Sequence, residues 1–155
     1  MAGEIYLTKA GREKLIDELE SLNKRRVAVT EEMVRAREQG DLKENAEYHA
    51  AKETLNNIAG RIADIQGKLS RAKIINEKDI DTSKVYIGVT VKIKDEDGDK
   101  YEYSIVDEEE SNPSEGRISV KSPVAQGLLG HKKGEKVKVS LPGGESEYEI
   151  LDISK

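Results

Sequence analysis

Two acids three residues apart, Asp41 and Glu44, stand in the stretch GDLKENAEYHAAKE at residues 40–53. Two chemistries fit that spacing. Asp41 is a good N-cap residue, and Glu44 then falls at the third helical position. D-x-x-E is a capping-box pattern that restarts a helix after Gly40, a natural C′ residue, has ended the first one. The same spacing sets two carboxylates side by side, and hard carboxylate oxygens are the ligands Mg²⁺ takes, with waters and a substrate phosphate completing its shell. On an exposed turn two acids bind Mg²⁺ weakly. Inside a partner's cavity that supplies more carboxylates, they could complete a two-metal phosphoryl-transfer site. Both readings remain open on spacing alone. Arg35, Arg37, Lys43 and Lys52 surround the acids with cations, which suits a nucleic-acid backbone, although a charge cluster also serves as a solvated face. Asn45 and Tyr48 lie within a turn of Glu44 and are candidates to support it.

The flanking sequence specifies what holds this turn. Leu15, Leu19, Leu22, Arg26, Val29, Met33 and Ala36 follow a 4, 3, 4, 3 spacing before it. Tyr48, Ala51, Leu55, Ile58, Ile62, Ile65, Leu69 and Ala72 resume the same alternation after it. Apolar residues at this period form a coiled-coil seam, and the short interval between the runs makes the helices antiparallel neighbours. Thr8 is the expected N-cap of the first helix, which should end near Gln39. Gly60 and Gly67 oppose the second helix, but the seam outweighs them.

Composition narrows the function classes. Charged residues make up 37% of the 155 and aromatics 4%, all of them Tyr, so one large core is excluded in favour of long helices and a small sheet. The absence of Cys removes disulfides and thiolate metal sites. No run approaches the ~20 apolar residues of a membrane span, and no signal-like segment opens the sequence, so a cytoplasmic protein without membrane contact is expected. Residues 1–75 carry 14 Lys/Arg against 13 Asp/Glu, whereas residues 76–155 carry 12 against 18. The acidic second half is poorly suited to grip phosphates.

That half reads as a polar linker at 77–81 and a small, mostly antiparallel sheet domain at 82–155, beside the hairpin at 1–76. Val89, Val91 and Ile93 alternate before a turn at Asp97-Gly98. Tyr101, Tyr103 and Ile105 follow, then a loop over 107–116 and a strand around Ile118. PVAQGLLG predicts a short helix ending at Gly130, and Pro142-Gly143-Gly144 a turn into the last strand. The fold class is α+β. Independent catalysis finds no triad, P-loop or dinucleotide fingerprint. His131 has no Cys or His partner, and His49 with Glu53 reads as a surface pair four apart on a helix.

AREQGDLKENAEYHAAKE, Ala36 to Glu53, resembles the signature of the GreA/GreB family of bacterial transcript cleavage factors. ISVKSPVAQGLLG, Ile118 to Gly130, and LPGGE from Leu141 resemble the same family, so the resemblance covers nearly the whole chain. It implies an FKBP-like second domain and a protein that is not itself an enzyme. It implies that Asp41 and Glu44 are the catalytic acids, reaching through the secondary channel of RNA polymerase to share a Mg²⁺ that the polymerase mainly holds. It further implies that Arg37 and Lys52 contact the 3′ end of the nascent RNA and that Ser122 and Pro123 dock on the polymerase. DNA binding and a monomeric state accompany these expectations. An apolar aromatic pocket for a prolyl isomerase is lacking, because the domain has no Phe or Trp. Channel-binding inhibitors of the same architecture and a structural coiled-coil adaptor are the competing readings. The inhibitors carry a more acidic tip than Gly40-Asp41-Leu42-Lys43-Glu44.

Overall fold

The hydroxyl of Thr8 accepts the N–H of Gly11 at 3.0 Å and so starts the first helix where the sequence places it. The computed structural model in which this is seen describes residues 3–40 and 45–155. Strand β1 (Ile5–Leu7) precedes helix α1 (Lys9–Glu38), and helix α2 (Ala46–Arg71) leads directly into strand β2 (Ala72–Ile74). The chain divides into two compact units, one containing Arg12–Ala72 and the other Glu4–Gly11 with Lys73–Lys155.

The first unit is the helical hairpin. Val29, Ala51, Ile58 and Ile62 are buried in one cluster, with Leu19, Leu22, Met33 and Leu55 half-buried against it. These are the expected seam positions, whereas Arg26 is exposed, as the one cation in the run should be. A bidentate pair crosses between the helices: Arg61 Nε and Nη2 donate to the two carboxylate oxygens of Glu18 at 2.9 and 2.8 Å. Planar fork-to-carboxylate geometry selects register as well as adding energy. A Cβ built on Gly60 or Gly67 meets nothing within 4 Å. Gly60→Ala is therefore expected to raise hairpin stability by about 0.5–1 kcal/mol, because only the backbone entropy of the unfolded chain changes. Urea unfolding of the two proteins measures it.

The second unit contains the two-stranded β1–β2 ribbon and a five-stranded sheet in the order β5-β4-β3-β7-β6. Its strands are β3 (Thr90–Lys94), β4 (Lys100–Val106), β5 (Arg117–Ser119), β6 (Lys136–Leu141) and β7 (Gly144–Ser154). The expected turn at Asp97-Gly98 joins β3 to β4, with Gly98 at φ 86°. Asp95 holds that turn by accepting the N–H groups of Asp97 and Asp99 and the Tyr101 hydroxyl, which keeps the Tyr101 phenol above its usual pKa. Val91, Ile93, Ile105 and Ile150 are fully buried, together with Leu128 of the short helix α3 (Pro123–Leu128). Tyr103 and Tyr148 pack on this core from its edge.

The sheet is mostly antiparallel, as expected, and its one parallel pairing joins β4 to the short strand β5. Its three residues follow a pair of 3₁₀ turns at Glu108–Glu110 and Pro113–Glu115, which reverse the chain inside the stretch expected as a plain loop. Ala72, placed on the helical seam by its spacing, is extended at φ −73°, ψ 134° and begins β2. The polar stretch after the hairpin contains a 3₁₀ turn, Glu77–Asp79, capped by the Asn76 side chain. Among the described residues, no helix is long and apolar enough to cross a membrane.

Candidate functional site

Asp41 and Glu44 lie outside the described residues, but the residues on both sides of them are defined. Helix α1 ends at Glu38, and the Gln39 N–H closes the last turn onto the Ala36 carbonyl at 3.2 Å. Gly40 stands where a terminating glycine is expected, yet it does not adopt a positive φ.

The second helix does not start from Asp41. Its N-cap is Asn45, at φ −81° and ψ 93°. The Asn45 side-chain oxygen accepts the Tyr48 N–H at 3.0 Å, and its amide nitrogen donates to the Ala36 carbonyl. One side chain thus satisfies an open donor at the start of α2 and adds a second hydrogen bond to a carbonyl in the last turn of α1 that the Gln39 N–H already reaches. Asp and Asn cap helices about equally well, but only Asn carries a donor for the carbonyl end of the neighbouring helix. That extra donor is the physical reason the cap falls on Asn45. The box expected from Asp41 and Glu44 is therefore not the one that starts α2.

Tyr48 is half-buried, in keeping with its seam position, and its ring meets His49 edge-on with centroids 5.5 Å apart. Arg35 and Arg37 lie in the last turn of α1, where cations also complement the helix dipole. Arg37 and Lys52 are both exposed. A groove of about 520 Å³ runs between the helices behind the turn, floored by Val29, Ala36 and Ala51 and rimmed by Arg25, Arg35, Glu32 and Glu47. Its mixed rim favours neither sign of ligand.

Ser122 and Pro123 are organised by their own helix. Ser122 is the N-cap of α3, accepting the Ala125 N–H at 3.3 Å, and Pro123 occupies the first helical turn. Ser122 is half-buried and Pro123 is exposed. A Cβ on Gly127 would run into Val139, so α3 approaches β6 closely enough to hold Pro123 on a rigid support. The carboxylates of Asp95, Asp97 and Asp99 also converge, within 4.8 Å of one another, at the turn between β3 and β4. Turn formation already employs Asp95.

Comparison with known proteins gives a consistent result. Residues 5–74 match the family model described as "Transcription elongation factor, N-terminal". Residues 80–155 match "Transcription elongation factor, GreA/GreB, C-term". The chain is 47% identical over 155 residues to transcription elongation factor GreA of Chloroherpeton thalassium, covering 99% of this chain and 98% of that protein. It is 45% identical over 153 residues to the GreA of Alkalilimnicola ehrlichii, covering 97% of each. Among solved structures, that of the transcription factor Gfh1 is 31% identical with a TM-score of 0.50, over 99% of both chains.

Proposed function

The chain belongs to the GreA/GreB family of transcription elongation factors, and on that premise we propose that the turn at 40–45 is the working end of the protein. In this reading the hairpin enters the secondary channel of RNA polymerase and stimulates the polymerase's own cleavage of backtracked RNA. Asp41 and Glu44 contribute carboxylates to the reacting centre. The protein is not itself an enzyme, since the bond-breaking site belongs to the polymerase.

The observation that carries the proposal is the Asn45 cap. Asp41 and Glu44 had a sufficient structural explanation as a capping box, and Asn45 performs that task instead. With Asn45 as the cap of α2, the acids at 41 and 44 are not needed to start that helix, and chemistry accounts for them better. Their donor set is two hard carboxylates in a chain without Cys, which fits Mg²⁺ and not a soft metal. When bound, such an ion supplies Lewis acidity to a water and to the scissile phosphate. Asp41 and Glu44 would be this chain's ligands to an ion held mainly by the polymerase. Exposed Arg37 and Lys52 orient the RNA phosphates. Asn45 and Tyr48 hold the two helix ends from which the turn projects.

Docking falls to the sheet domain over 82–155, with 77–81 as linker and 1–76 as the hairpin. Pro123 presents an exposed ring, and Ser122 acts by capping the helix that presents it. Pro123→Ala is expected to weaken polymerase binding by roughly 10-fold, the loss of one well-placed contact, while the cleavage rate at saturating factor is kept. A binding titration on the polymerase checks this, and unchanged affinity removes Pro123 from the interface. DNA binding does not belong to this reading, because the sheet half carries an excess of acids. The proposed form is a cytoplasmic monomer.

The test uses backtracked elongation complexes with 5′-labelled RNA and Mg²⁺. Added factor should shorten the RNA. Binding without shortening would assign the chain to channel-occupying inhibitors, and no binding would leave a coiled-coil adaptor.

A further inference from the structure

Seven large hydrophobic side chains stand exposed among the described residues, and three of them, Tyr6, Ile74 and Tyr86, gather at one place. They are 40%, 45% and 46% exposed. With Ile87 and the carboxylates of Asp79 and Asp81 they line a cleft of about 290 Å³. All of these residues belong to the compact unit that holds the sheet. No lysine, arginine or histidine is among the residues lining the cleft. A contiguous open apolar surface with a polar rim marks a contact with another molecule, whereas apolar residues exposed singly do not.

The backbone of the unit fixes the walls. On one side the Ile75 N–H donates to the Leu7 carbonyl at 2.8 Å and ties β1 to the end of β2. Leu7 is fully buried, so strand alternation turns Tyr6 outward. On the other side Val85 is fully buried. Its N–H donates to the His131 carbonyl at 2.9 Å, and its carbonyl accepts the Gly130 N–H at 2.8 Å. Tyr86 follows it, and the Tyr86 carbonyl accepts the Val89 N–H at 3.3 Å. Ile75 and Ile80 reach the bare backbone of Gly88, whose φ is 99°; a Cβ there would lie 3.5 Å from Ile75 and 3.7 Å from Ile80. The acids are set by local turns. Asp79 closes the 3₁₀ turn Glu77–Asp79, its N–H donating to the Asn76 carbonyl at 2.9 Å. Asp81 accepts the Ser83 N–H at 2.8 Å, which holds its carboxyl below the usual range.

We infer that this cleft is a docking site for a basic–apolar peptide segment of a partner protein: an aliphatic side chain fills its apolar part, and a neighbouring arginine or lysine meets Asp79 and Asp81. The volume selects one or two side chains, since small-molecule sites enclose ~300–1,000 Å³. The two carboxylates select the sign and disfavour an anionic ligand. A guanidinium also stacks on a tyrosine face, so the rings and the acids favour the same residue. Tyrosine is enriched where proteins meet because one end of it is apolar and the other polar. None of these residues belongs to the turn proposed to act in cleavage, so the site is independent of that function.

The experiment titrates the isotope-labelled full chain, followed by amide NMR, with the capped peptide Ser-Leu-Arg-Leu-Arg-Ser. A copy carrying citrulline in place of arginine keeps the shape and loses the charge. The arginine peptide is expected to shift the amides of Ile74, Tyr86 and Ile87 saturably. The citrulline copy should bind roughly fivefold more weakly. Tyr86→Ser should weaken the arginine peptide roughly 10-fold, and Asp79→Asn roughly threefold. Tyr101→Ser, at an exposed tyrosine elsewhere in the same unit, should leave affinity within about twofold. No saturable shift at millimolar peptide overturns the proposal. Equal affinity for the citrulline copy overturns it, as does unchanged affinity in Tyr86→Ser. Shifts of the same amides on concentrating the protein alone, with no response to peptide, would give the cleft to a second copy of this chain and overturn it too.

Discussion

Asp41→Asn is expected to abolish the shortening of backtracked RNA while leaving polymerase binding and hairpin stability unchanged. The stability half follows from the cap. Replacing the residue that starts a helix costs ~0.5–2 kcal/mol when the cap is lost. Here Asn45 starts α2, and the substitution at Asp41 leaves that cap in place. It is also nearly isosteric. What it removes is an anionic oxygen, and a neutral amide oxygen is a far weaker ligand for a hard divalent ion. Loss of one preorganised electrostatic group typically costs on the order of 10²–10³ in rate. Glu44→Gln should behave alike, and the two together should cost less than the product of the separate losses, since both act on one centre. The assay is the time course of 5′-labelled RNA in stalled complexes at saturating factor. Full shortening with Asp41→Asn would move the chemistry wholly onto the polymerase and leave the proposed metal role without support.

Asn45→Asp should be the conservative change on the hairpin that costs the most stability. Asp is as good an N-cap as Asn in isolation, so a cap-only role predicts little effect. The bond from the Asn45 amide to the Ala36 carbonyl makes the opposite prediction. Aspartate has no donor for it, and its charge would stand against the carbonyl end of α1, where negative charge is unfavourable. A lost hydrogen bond plus that repulsion amount to roughly 1–2 kcal/mol. Asn45→Ala loses the cap as well and should fall by a similar or larger amount. Both should also lower the saturating cleavage rate by roughly 10-fold or more, because the turn projects from the two helix ends that Asn45 joins. Urea denaturation and the RNA assay measure the two effects separately. If Asn45→Asp matches wild type in both, the joint role of Asn45 is wrong and simple capping suffices.

The hairpin itself was legible because its information is local and periodic. Leucine and isoleucine at spacings of three and four define one helical face, and the short interval between the two runs leaves antiparallel pairing as the solution. Val91 and Ile93 were legible as strand residues for the same kind of reason, with period two in place of three and a half. The Asp97-Gly98 and Pro142-Gly143-Gly144 turns followed from backbone chemistry carried by those residues alone. Ser122 was singled out by resemblance for docking, and its geometry adds a local task that S-P at a helix start also signals.

Where the turn restarts the helix was not legible, since Asp41 and Asn45 are equally acceptable caps by composition. The decision came from the Ala36 carbonyl, nine residues earlier in the chain and adjacent only once the helices are antiparallel. The short strands β1 and β2, three residues each, are too brief to show a period, and their pairing with each other in the tertiary structure defines them. The Glu110 carboxylate that accepts the Thr8 N–H at 2.9 Å is further still from sequence reach, with 102 residues between the partners. By itself the sequence determined which of the longer segments are helix or strand and which acids stand at the turn, because those depend on neighbours within a few residues. The tertiary structure alone decided which polar group caps which helix end, because an open backbone group is satisfied by whatever donor or acceptor the fold brings within 3 Å, wherever it lies in the chain.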